Sequence, residues 1–130
     1  MNPEENNTPG KAHGILLFAH GSRDARWREP VEAVARSVIA QDPTARVACA
    51  YLELVEPDLP TAAAALIAHG ARSIRVVPLF LGMGKHVRED LPLLLQQLRA
   101  GHPAVDFSLA PAVGEAPEVI ALLARMALKS

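Results

Sequence analysis

Cysteine is almost absent from this sequence: Cys49 is the only one in 130 residues, and it stands inside an apolar run. A lone cysteine excludes an intrachain disulfide, a cysteine-cluster zinc site and a cysteine-ligated iron–sulfur centre, and it fits a reducing compartment. Net charge is nearly absent as well. With 13 Lys and Arg against 14 Asp and Glu the formal charge is −1, so no overall field draws nucleic acid or an anionic membrane. The apolar runs are short and interrupted by charge or proline, and the opening MNPEENNTPGKAHG lacks the apolar core of a secretory signal. The expected location is therefore the cytoplasm, with residues 1–12 as a disordered tail. Beyond that tail there is no low-complexity segment and no long linker. A composition of 50% hydrophobic and 21% charged residues is that of one globular domain, long enough for a single core. Residues 13–130 are expected to form it.

Strand-like runs alternate with helical periodicity four times. GILLFA (14–19) is a continuous apolar run of strand length, as a parallel strand covered on both faces requires. After it, Val31, Val34, Ala35, Val38 and Ile39 fall on one face of a helix. The second strand is expected over 45–53. The helix after it carries Leu59, Ala62, Ala63, Leu66 and Ile67, with Asp58 as its cap and Gly70 as its stop. A third strand over 73–81 precedes a helix with Leu91, Leu94, Leu95 and Leu98 that ends near Gly101. A weaker fourth strand over 104–111 precedes a last stripe of Val119, Leu122, Leu123 and Met126. This alternation specifies an α/β fold: a doubly wound, three-layer sandwich on a four-stranded parallel sheet, with flavodoxin-like order 2-1-3-4.

In such sheets ligands bind beyond the carboxyl ends of the strands. His20 stands after the first strand, Glu53 at the end of the second and His86 after the third; the intervals from 20 to 53 and from 53 to 86 are both 33 residues. With order 2-1-3 the three strands are neighbours at about 4.8 Å, which brings two imidazoles and one carboxylate to one mouth. That donor set suits a first-row divalent metal and leaves coordination positions open. Arg23, Arg26 and Arg28 follow His20, while Lys85 and Arg88 flank His86. These cations form a basic rim for an anionic ligand bearing carboxylates or phosphates.

Other polar residues have plainer readings. His13, His69 and His102 read as solvated loop groups, His69 near a helix end where it can meet terminal carbonyls. Glu56 reads as an early helix-dipole charge. Gly82 and Gly84 read as a flexible turn. Ser22 lacks the G-x-S-x-G elbow of a nucleophile, and Ala19 stands where a histidine phosphatase would carry an arginine.

The segments LLFAHGSRD, YLELVEPDL and VPLFLGMGKHVREDLP resemble the class II tetrapyrrole metal chelatases, particularly the short sirohydrochlorin cobaltochelatases. The likeness covers nearly all of 13–130 and is most specific in the F-L-x-x-G-x-H-x-x-x-D-x-P pattern from Phe80 to Pro92. It implies a chelatase-like fold and insertion of Co²⁺, or of Fe²⁺ or Ni²⁺ by the same site, into a sirohydrochlorin-like tetrapyrrole of cobalamin or sirohaem synthesis. On that resemblance His20 and His86 bind the metal and assist proton removal, and Glu53 joins them. Arg23, Arg26, Lys85 and Arg88 would meet the substrate's carboxylates. The metal is a substrate and no organic cofactor is implied. A single-module chain of this family is expected to form a homodimer. The competing reading is a non-catalytic carrier of metal or tetrapyrrole that uses the same pocket.

Overall fold

The computed structural model describes residues 13–129; the tail expected over residues 1–12 lies outside the described residues. Its sheet has the order β2-β1-β3-β4, and every pairing is parallel. Strand β1 (His13–Ala19) is flanked on both sides and covered on both faces, with four consecutive buried residues from Leu16 to Ala19. This is why it reads as an unbroken apolar run. Strand β4 (Asp106–Leu109) lies on the edge and alternates exposed Asp106 and Ser108 with buried Phe107, which accounts for its weaker signal.

Three strands are shorter than the runs expected for them, β4 among them. β2 covers Arg46–Tyr51 and β3 covers Ser73–Pro78. The chain nevertheless stays tethered past both ends: the Leu52 and Glu53 amides donate to Ala19 and His20 carbonyls at 2.9 and 3.0 Å, and the Leu79 amide donates to Phe18 at 2.8 Å. Residues following β2, β1 and β3 are thus held side by side at one edge.

Four helices complete the layers: α1 (Glu29–Gln41), α2 (Leu59–Ala68), α3 (Lys85–Gly101) and α4 (Pro117–Leu128). Asp58 caps α2 as expected, its carboxylate accepting from the Thr61 amide at 3.0 Å. At the other end the Gly70 and Ala71 amides donate to the Ile67 and Leu66 carbonyls at 2.9 and 3.0 Å, which satisfies the last turn and stops the helix.

The two faces of the sheet are unequally covered. The main core joins Leu16, Phe18, Ile74 and Val76 to Leu59, Leu66, Leu91, Leu95 and Leu98, so it lies under α2 and α3. Beneath α1 a smaller cluster holds Ala19, Val31 and Tyr51 with Trp27, Cys49 and Leu79 packed against it. Helix α4 buries none of its residues. The stripe expected to pack there is open: Leu122, Leu123 and Met126 are exposed, as are Val34 and Ile39 of α1.

Candidate functional site

Of the loops that leave the carboxyl edge of the sheet, those after β1, β2 and β3 carry the candidate residues or lead to them. The first two are locked together at Gly21, which has φ +106°. Any Cβ there would lie 1.9 Å from the Glu53 carbonyl oxygen, so only glycine lets the loops approach this closely. The second loop also closes on itself, through the Tyr51 amide donating to Pro57 at 2.9 Å.

His20 is exposed, and its ring lies against Phe80 with centroids 4.4 Å apart and planes at 45°. Phe80 is itself seated edge-on against Phe18 at 5.9 Å, so the His20 ring rests on core aromatics while its nitrogens reach solvent. Glu53, expected at the end of β2, lies two residues past it in the bend that follows. Its amide bond to the His20 carbonyl fixes these two residues as neighbours.

His86 was expected in the loop before a helix and instead forms part of the first turn of α3. That helix begins after Gly84 with no side-chain cap and no acidic residue in its first turn. His86 and Glu53 line one cavity of about 220 Å³ whose other walls are Phe18, Leu52, Val87 and Leu91. Asp90 also lines it. This residue was not among the sequence candidates, although it stands one helical turn after His86, on the same face of the helix.

Among the described residues no three His, Cys, Asp or Glu side chains are gathered as a ready metal cluster. His86 and Glu53 share that cavity, whereas His20 is not among the residues that line it. Arg23, Arg26, Lys85 and Arg88 are all exposed. Arg26 lies 3.6 Å from Asp24, with side chains 93% and 55% exposed, a solvent-screened pair worth little. Arg88 reaches back to the Met83 carbonyl at 3.5 Å. The other histidines serve elsewhere: His13 bonds the Ser73 hydroxyl at 3.1 Å, and His69 meets the Ala65 carbonyl at 2.8 Å near the end of α2. A Cβ on Gly82 or Gly84 would meet nothing within 4 Å, consistent with a simple turn.

Comparison with known proteins decides the family. The CbiX family model matches residues 14–129. The chain belongs to the CbiX family. It is 31% identical over 117 residues to the sirohydrochlorin cobaltochelatase of Sulfolobus acidocaldarius, covering 90% of this chain and 91% of that one. A CbiX protein structure from Marinobacter aquaeolei VT8 superposes with a TM-score of 0.76 at 37% identity, covering 88% of this chain and 93% of the other. The sirohydrochlorin chelatase SirB of Bacillus subtilis subspecies spizizenii, solved in complex with cobalt, superposes at 0.74 with 29% identity. Here 88% of this CbiX chain corresponds to only 50% of SirB.

Proposed function

We propose that this CbiX-family chain is a sirohydrochlorin chelatase that inserts Co²⁺ into the macrocycle, with His20, His86 and Glu53 as the working groups. The observation that carries the reading is the shared cavity of His86 and Glu53, with the His20 carbonyl accepting a hydrogen bond from the Glu53 amide. The reaction removes a proton from each of two pyrrole N–H groups and passes a divalent ion from protein and water ligands to four ring nitrogens. Neutral imidazoles hold such an ion and accept protons; Glu53 orients one of them or takes the second proton. The groups are spread around the mouth and not closed into a cage, which suits a site that must give its metal away. Fe²⁺ and Ni²⁺ fit the same donors, so choice among them follows metal supply as much as affinity. The cations Arg23, Arg26, Lys85 and Arg88 pair with the substrate's carboxylates.

The active form is a homodimer, assembled through the uncovered apolar stripes of α1 and α4. A groove of about 390 Å³ beside Arg75, Val77, Val113 and Val119 adds to that face. The twofold length of SirB supports the assembly, since SirB has room for a second module in one chain. The workplace is the cytoplasm, in keeping with the single thiol; among the described residues no helix is long and apolar enough to cross a membrane.

Anaerobic mixing of Co²⁺ and sirohydrochlorin with catalytic amounts of protein tests the reading through the change in tetrapyrrole absorption. Wild type is expected to turn over many times, and His20→Ala and His86→Ala to slow insertion at least about 100-fold with the fold intact. Stoichiometric binding without acceleration would identify a carrier instead.

A further inference from the structure

Two leucines on the loops of the site are exposed, and one of them has a left-handed backbone. Leu54, directly after Glu53, has φ +70° and is 50% exposed. A left-handed backbone is strained for a non-glycine residue, and an apolar side chain in water offsets none of that strain. Leu81, five residues before His86, is 73% exposed. Both loops are clamped from behind by glycine. Gly21 packs on the Glu53 backbone, and at Gly114 any Cβ would lie 2.0 Å from the Leu81 carbonyl oxygen. The Gly114 amide also donates to the Phe80 carbonyl at 2.9 Å. Neither leucine is therefore out in solvent because its loop is loose.

We propose that Leu54 and Leu81 seat the flat apolar face of the tetrapyrrole, one on each of the loops that flank the His20 loop. This assignment rests on the chelatase reading above. Strand order β2-β1-β3 places the Leu54 loop and the Leu81 loop on opposite sides of His20. A disc lying across both leucines therefore has its centre over the histidine and its edge toward Arg23, Lys85 and Arg88. The pattern of apolar seats inside and cations outside matches a ligand whose ring is apolar and whose periphery is carboxylate. A second copy of the chain is the weaker occupant, because α1 and α4 offer it a larger apolar surface that carries no site residue. Substrate contact also explains the strain at Leu54: the left-handed turn holds the side chain up at the mouth instead of letting it fold back onto the sheet.

The test uses Leu54→Ser, Leu81→Ser and Leu54→Gly. Affinity for metal-free sirohydrochlorin is read from the absorption of the tetrapyrrole, Co²⁺ affinity is measured without it, and assembly is read by sedimentation. Each Ser variant is expected to bind the tetrapyrrole about tenfold more weakly, with Co²⁺ affinity and oligomeric state unchanged. Leu54→Gly should lose affinity equally while its thermal midpoint does not fall, since glycine adopts the turn without strain. Unchanged tetrapyrrole affinity in both Ser variants would overturn the assignment. So would dissociation of the assembly in either, which would give these leucines to the subunit interface. Wild type that binds no sirohydrochlorin would overturn both this and the chelatase reading, whereas wild-type binding with unaffected variants overturns this one alone.

Discussion

The two faces of the sheet carry similar apolar stripes in the sequence and very different packing in the fold. Under α2 and α3, seventeen buried residues form one continuous cluster; under α1 the buried cluster is reduced to Ala19, Val31 and Tyr51, and α4 buries nothing. The open side is not polar by design. Ile120, Leu122, Leu123, Met126 and Leu128 of α4 are all at least 42% exposed, a density of apolar surface that monomers rarely leave in water. A periodic stripe thus says that a helix will be covered, but not by what. The thick face holds the domain together; the thin face leaves its apolar stripe exposed.

The contrast has a direct test on the thick side. Leu95 is 1% exposed in the middle of α3, and Leu95→Ala is expected to cost about 2–5 kcal/mol of unfolding free energy, transfer and cavity terms together. Urea unfolding followed by circular dichroism reads it as a lower midpoint at unchanged slope. A loss below about 1 kcal/mol would mean that the α2/α3 face does not carry the fold.

Much of this was legible in the sequence because inner parallel strands must be apolar throughout. GILLFA could only be central, and once the order 2-1-3 follows, the equal intervals between His20, Glu53 and His86 place all three at one edge. The stripe of Val119, Leu122, Leu123 and Met126 was legible as a helix face, but periodicity carries no information about which surface covers it. The Leu54 turn was out of reach: no propensity puts leucine at φ +70°, and the contacts that hold it come from Gly21, more than thirty residues away in the chain. Asp90 was within reach, being one turn from His86 on the same helix and part of the quoted motif.

A smaller effect sharpens the thick-face side of the comparison. Asp58 joins α2 to that face by capping it, and its bonds to the Thr61 hydroxyl and amide hold its carboxyl below the usual range. A depressed folded value stabilises above the unfolded pKa of about 3.9 and loses that contribution as pH falls through the folded value. Asp58→Ala should cost about 1 kcal/mol at neutral pH, and the gap from wild type should close below about pH 3.9 as the native carboxylate protonates. A difference that persists unchanged in acid would mean that Asp58 acts through packing, not through its charge.

The smallest expected change in the chain's own stability lies on the thin face, where it separates an unused surface from a reserved one. Leu123 of α4 is 42% exposed, so Leu123→Ala should alter the unfolding of dilute, monomeric protein by no more than about 0.5 kcal/mol. The same substitution should weaken assembly, because a leucine set into a dimer interface is desolvated twice over, once in each copy of a symmetric contact. Sedimentation across a range of concentrations reads the two effects separately: an unchanged monomer midpoint with dissociation shifted to higher protein concentration. If Leu123→Ala destabilises the dilute monomer by as much as Leu95→Ala, α4 is packed against its own sheet in solution and the two faces are equals. If it changes neither quantity, the thin face is not where the second copy sits, and a second wall for the site would have to come from the edge that carries His20 and His86.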